Sequence, residues 1–362
     1  MLLSIFLLPG FQGLAQSTKK KKVDHYKVDA RFATIYDNNI LKYSDKYIDR
    51  FMTGQDFGRF HIKTYDDIIL YAGANVTATY RIIKDLKSQF NINFFSNSYM
   101  LNNIKNWYFI SVGYRQYLTK RASFKVFYEY IPHYYVRHFR DKDWVNVYGY
   151  TPETFVQFAY SKDNFGFWIQ NYFFKNTRIR LTFDYSKYYH NKHYTEYDCK
   201  NYLGGMRFYQ RVHKKVRLEL GYEYKYSNAK GYDEPGETKQ TSDDADATYF
   251  QNDFIFGVNI NLPKMKKIKH GMDVRMVYQN RQYLSEHYLE EDREHTGRID
   301  NNIQFYANYN IDLSKSLRMR AFYRFYFRNS SSVSPVNEFY LSGEKDYNQS
   351  QIGLQVAYNF NF

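Results

Sequence analysis

Arg318, Arg320, Arg324 and Arg328 are separated by multiples of two residues. In an extended strand that spacing puts all four guanidinium groups on one face. Arg275 and Arg281, six apart, obey the same rule in a second segment. Asp184, Glu219 and Glu223 fall at the matching parity of their own segments, among Arg180 and Arg217. Set on facing walls of a pore, a basic and a more acidic row select solutes by the sign of their charge. Packed against one another they neutralise, and the interior is closed. Both arrangements fit the spacing. The candidate pore-lining residues are therefore Arg275, Arg281, Arg318, Arg320, Arg324, Arg328, Asp184, Glu219 and Glu223.

Other chemistry finds less support. His190 and His193, close to Glu196 in sequence, have donor types suited to a divalent metal. Such groups in a polar stretch are ordinarily solvated. Asp243, Asp244 and Asp246 lack the glycine and the regular ligand spacing of an EF-hand loop. No metal and no cofactor is expected. A surface hydrolase needs a nucleophile, a histidine and an orienting partner. Ser96 and Ser98 have no histidine in a strand to serve them, so no enzymatic activity is expected.

The segment 132–164 reads as the longest connection, and its aromatic, charged composition marks it as ordered. It carries His133, Arg137, His138, Arg140, Trp144 and Tyr148. Folded inward it would constrict a pore. Raised outward it would offer a protein partner the residue types that dominate interface hot spots.

These residues need strands to position them. Ile68, Leu70, Ala72, Ala74, Val76, Ala78, Tyr80 and Ile82 alternate with Tyr71, Gly73, Asn75, Thr77, Thr79 and Arg81. Helical spacing cannot produce that order. Similar alternation predicts fourteen strands between residues 27 and 362, with 155–160 left inside the long connection. Short and long connections take turns, and an even strand count puts both termini on one side. Pro132, Pro152, Pro235, Pro263 and Pro335 all read as loop or turn residues, where proline interrupts no ladder.

The last strand is the most specific. Ile352, Leu354, Val356, Tyr358, Phe360 and Phe362 share one face, against Gly353, Gln355, Ala357, Asn359 and Asn361 on the other. A free edge of this kind invites aggregation unless it is paired, and closure into a barrel pairs it. The segment resembles the closing strand of bacterial outer-membrane β-barrel proteins, which typically ends in Phe. The resemblance implies an all-β, antiparallel, up-and-down transmembrane barrel in the outer membrane of a Gram-negative envelope. It also implies a porin-like channel, or else a barrel with a filled lumen that serves as a docking subunit of a larger envelope complex.

Composition agrees. The 362 residues include 41 tyrosines and 31 phenylalanines, yet mean hydropathy is −0.69. Such an excess of aromatics suits interfacial girdles. Beyond the amino terminus no apolar run is long enough for a transmembrane helix. Residues 1–16 resemble a signal peptide whose missing basic region points to a truncated start. Residues 17–26 form a basic periplasmic stub and 27–362 the barrel. The single cysteine, Cys199, excludes an internal disulfide framework. A net charge of +14 raises nucleic acid as a partner. Much of it, however, sits in short turns, at Lys84, Lys120, Arg121, Lys214, Lys215, Lys266 and Lys267 among others. Contact with anionic lipid headgroups fits that placement, and nucleic acid does not. The expected partners are outer-membrane lipid and, through the outer loops, other envelope proteins.

Overall fold

The computed structural model describes residues 25–83, 86–265 and 268–362. The signal peptide, most of the basic stub, and the turn residues Lys84, Lys266 and Lys267 lie outside the described residues. Fourteen antiparallel strands follow one another around a closed ring. They are β1 (His25–Asp37), β2 (Asp67–Ile83), β3 (Leu86–Tyr99), β4 (Trp107–Tyr117), β5 (Ala122–Arg140), β6 (Phe155–Phe174) and β7 (Thr177–His190). The second half comprises β8 (Cys199–His213), β9 (Val216–Ala229), β10 (Tyr249–Asn261), β11 (Lys269–Tyr283), β12 (Arg298–Asp312), β13 (Leu317–Ser332) and β14 (Tyr347–Asn361).

Closure is made by β1 against β14, in register from Lys27 opposite Asn361 to Asp37 opposite Gln351. Tyr26 and Phe362 then exchange main-chain hydrogen bonds of 2.9 and 3.1 Å at the end of the seam. The seam thus leaves no open edge between the first and last strands of the ring, which is the condition for a sheet in hydrocarbon.

The alternation in the sequence becomes two surfaces. Phe32, Leu70, Ile92, Phe165, Leu181, Leu220, Phe254 and Leu354 point outward and are all exposed. An exposed apolar band around a whole molecule is stable only against lipid. The opposite parity carries Arg, Asp, Glu, Asn, Gln and Tyr into the lumen. Short turns and both described ends of the barrel lie on one side, and the long connections lie on the other.

Strands β5 and β6 pair over 16 positions, well beyond the ~9–11 residues that cross a membrane, so they stand above it as a hairpin. This corrects the reading of 132–164 as one long connection: only 141–154 joins the two strands. Pro132 lies within β5, not in a loop, at a register shift between Ile131 and Tyr134. A bulge tolerates the missing proline N–H. Residues 155–160 open β6 instead of belonging to a loop. Aromatic contacts hold the raised part together, with Tyr134 stacked on Tyr160 at 5.2 Å and Phe139 edge-on to Phe158 at 5.3 Å.

Among the described residues three α-helices interrupt the outer connections: α1 (Asp45–Met52), α2 (Lys142–Tyr148) and α3 (Pro335–Lys345). Pro335 occupies the first turn of α3, where a missing N–H costs nothing. Asp141 caps α2 by accepting the Trp144 N–H at 3.0 Å.

Candidate permeation pathway

The first outer connection, 38–66, is the segment that folds inward. Ile40, Leu41, Tyr43 and Tyr47 are buried in one cluster with Ala33 and Ile35 of β1, Ile69 of β2, Tyr99 of β3, Tyr135 of β5 and Phe322 of β13. Leu41 and Lys42 offer their carbonyls to Arg137 Nη2 of β5 at 2.7 and 3.2 Å. The Lys42 ammonium lies over the rings of Tyr326 (β13) and Tyr347 (β14), at 5.1 and 5.8 Å. Strands β5 and β13 are six steps apart in a ring of fourteen, so the connection reaches nearly opposite walls. Asn39 fixes its start by donating to the carbonyls of Tyr43 (2.8 Å) and Asn348 (2.9 Å). His61 stacks on His138 of β5 at 3.7 Å. Lys105, in the next connection, supports Tyr135 from behind by donating to its carbonyl at 2.9 Å. Burial, reinforced by Lys42 and Arg137, pushes this ammonium down to about 7.

Within the barrel lies a cavity of about 450 Å³ bordered by Arg178, Arg217, Arg275, Arg320 and Arg324 together with Glu219 and Asp273. Glu219 is already engaged by Arg207 at 3.3 Å and by Arg275 at 3.9 Å. Asp273 accepts from Asn310 at 2.6 Å and from Asn259. Among the described residues no carboxylate comes within 4.0 Å of Arg178, Arg217, Arg320 or Arg324. Arg320 donates to Asn310 at 2.8 Å, and Arg324 reaches only Gln351 at 3.5 Å while lying on the Phe322 ring. A second cavity, of about 460 Å³, adjoins the inner side of the first connection and is also bordered by Arg320 and Arg324.

The predicted residues divide accordingly. Arg275, Arg320 and Arg324 meet at the first of these cavities. Arg318 is bound to Asp312 at 2.7 Å at the turn end of its strand. Arg328 bonds Asn302 at 2.8 Å and lies 3.7 Å from Asp300. Arg281 donates to Gln251 at 2.9 Å and packs on Tyr249. Glu223 pairs with Arg207 at 2.6 Å, whereas Asp184 has one buried oxygen without a partner. Arg207, Arg178, Tyr209, Tyr306 and Tyr326 were not singled out from sequence, although their parity within β7, β8, β12 and β13 places them on the lumen face.

Of the residues assigned to a long aromatic loop, His133, Arg137, His138 and Arg140 lie on β5. Only Trp144 and Tyr148 lie in the connection, on α2, and both are exposed. His190 and His193 do not converge on Glu196 as ligands. His190 Nδ1 lies 3.3 Å from Asp198, and His193 Nδ1 lies 2.7 Å from Asp141.

A closed ring with a lipid-facing outer surface and a polar, charged lumen admits one reading of class. The chain is an outer-membrane β-barrel. Outer-membrane lipid is thus its solvent. No family model and no curated protein matches the sequence. Solved structures similar to the barrel include the outer membrane channel DcaP of Acinetobacter baumannii, at 12% identity and TM-score 0.44, covering 96% of this chain and 100% of that one. OprD of Pseudomonas aeruginosa is similar at 8% identity and TM-score 0.39, covering 95% and 97%. OmpT, an outer membrane protein of Vibrio cholerae, is similar at 9% identity and TM-score 0.42, covering 95% and 99%. At such identities and scores, the function of this barrel has to be read from its own residues.

Proposed function

We propose that the barrel is a porin-like channel for small anionic or polar solutes, with Arg178, Arg217, Arg275, Arg320 and Arg324 as its charge filter. One observation carries this reading: four of these guanidinium groups border a lumen cavity with no carboxylate within 4.0 Å among the described residues. An interior built only for closure would pair them, because an uncompensated charge away from bulk water is costly. Left unpaired beside open volume, they lower the energy of an anion that enters. Each contributes about 1 kcal/mol at ~4 Å in water, and more where the wall excludes solvent. The inward connection 38–66 sets the width of the outer entrance. The tyrosines Tyr209, Tyr306 and Tyr326 give the filter hydroxyl groups for neutral polar solutes.

A second reading draws on the same connection. If 38–66 seals the mouth, the barrel is a docking subunit of a larger envelope complex, and Phe57, Tyr148, Tyr150, Tyr288 and Phe339, all strongly exposed on the outer connections, are its contacts. Single-channel recording of the purified barrel in a planar bilayer separates the two. A steady current that prefers anions, and loses that preference in Arg320→Ala/Arg324→Ala, is the result expected of the channel. No current from protein that keeps its heat-modifiable mobility would leave the docking reading.

A further inference from the structure

The connection between β9 and β10, residues 230–248, brings together three carboxylates spaced four and seven residues apart. One oxygen each from Asp233, Glu237 and Asp244 lies within 4.8 Å of the other two. The chain can reverse this tightly because Gly231 and Gly236 adopt φ of 70° and 93°, which side chains disfavour. Like charges so close repel unless something positive lies between them.

An independent group faces the same place. Glu196, in the connection between β7 and β8, is only 7% exposed, and its Oε2 has no hydrogen-bond partner. Its main-chain carbonyl accepts the Gly231 N–H at 2.8 Å, which ties it to the start of the 230–248 connection. Its side chain borders the outer cavity, about 340 Å³ in volume, together with Asp233 and Asp244.

The cations around this cluster are engaged elsewhere: Arg50 and Arg59 pair with Asp56, and Arg137 and Arg140 donate to main-chain carbonyls. Lys142 pairs with Asp243 at 2.8 Å, Lys239 with Asp246 at 3.2 Å, and Lys345 with Glu294. Lys230 donates to the Thr195 hydroxyl at 3.4 Å, and His193 pairs with Asp141. A buried carboxyl group with one unpartnered oxygen, beside three that converge, is a donor set of hard oxygens. That chemistry suits calcium, which takes six to eight oxygens in a flexible shell.

We propose that Asp233, Glu237 and Asp244 form a divalent-cation site of the calcium class at the outer mouth, completed by Glu196 from the neighbouring connection. The bound ion links the β7–β8 and β9–β10 connections and fixes one side of the entrance. This does not depend on what passes through the lumen.

The test uses the full-length barrel in detergent, freed of divalent ions by chelation and then titrated with Ca²⁺ by calorimetry and with Tb³⁺ by luminescence. One site is expected. Asp233→Asn/Asp244→Asn should weaken it by about tenfold or more, the range by which losing a supporting group lowers metal affinity. Asp243→Asn removes one charge from the same connection, already paired with Lys142, and should leave affinity within about twofold of the parent, as expected for a charge outside the ion's coordination shell. Heat-modifiable mobility reports that each variant is folded. The proposal fails if folded parent protein shows neither heat nor sensitised luminescence, or if the double variant and Asp243→Asn bind equally.

Discussion

Arg137, on the raised part of β5, holds the first outer connection by its main chain: its Nη2 donates to the carbonyls of Leu41 at 2.7 Å and Lys42 at 3.2 Å. Its guanidinium also lies 4.7 Å from the Tyr43 ring centroid. A charged donor to backbone carbonyls specifies where a segment runs, whatever the side chains it passes. Hydrogen bonds to charged groups contribute ~1.5–3 kcal/mol, so Arg137→Ala should release this clamp. The expected outcome is a larger and noisier single-channel conductance, with faster proteolysis within 38–66 and unchanged heat-modifiable mobility. Unchanged conductance together with unchanged proteolysis would show that the buried cluster of Tyr43, Leu41 and Tyr135 holds the connection without it.

That clamp also marks the limit of what the sequence discloses. The barrel was legible because alternation and lipid exposure are local: each strand reports its two faces without reference to its neighbours. The parity of Arg320, Arg324 and Arg275 was legible for the same reason. Which charges remain unpaired was not, because Arg207 on β8 reaches Glu219 and Glu223 on β9 across strands, and spacing within one strand says nothing of that. Pro132 misled, since a proline reads as a break until a bulge is seen to absorb it. The inward connection was missed because Ile40, Leu41, Tyr43 and Tyr47 have no regular period, and only burial against residues of five strands reveals them.

Screening gives a test of the charge filter that needs no variant. The Debye length falls from about 10 Å at 0.1 M salt to about 3 Å at 1 M. If Arg320 and Arg324 select through the field across the cavity, the anion-to-cation permeability ratio should fall at least about twofold over that range. A ratio that stays constant with salt would assign selectivity to the width of the entrance.

Lys105 gives a pH dependence with a definite sign. Its ammonium is 4% exposed and pushed down to about 7, whereas an unfolded lysine titrates near 10.5. Between these values the folded state holds fewer protons than the unfolded state, so stability from this group rises with pH. The contribution is complete above about 10.5 and is lost as pH falls through about 7, at up to ~1.4 kcal/mol per pH unit. Hydrogen exchange in the segment around Tyr135 should therefore be better protected at pH 9 than at pH 7, after correction for intrinsic rates. Lys105→Met should flatten the difference. Equal slopes in parent and variant would mean that another group sets the dependence.

Gly353 and Phe322 are directly opposed on β14 and β13, and a side chain at Gly353 would run into the Phe322 ring. Phe322 is buried, borders the inner cavity and carries the Arg324 guanidinium at 4.7 Å. Gly353→Ala should thus push the ring, and Arg324 with it, toward the lumen. Overpacking of this kind costs ~1–3 kcal/mol, which the midpoint of heat-induced unfolding on gels would register. The strand itself is not at fault, since alanine suits an extended backbone as well as glycine does. Shortening the opposing side chain should then restore the midpoint, and Gly353→Ala/Phe322→Leu is expected to be more stable than Gly353→Ala alone. Neighbours in contact couple by about 0.5–3 kcal/mol in such cycles. If the two substitutions simply add, the ring does not press on the closing strand, and Gly353 serves β14 in some way that does not involve Phe322.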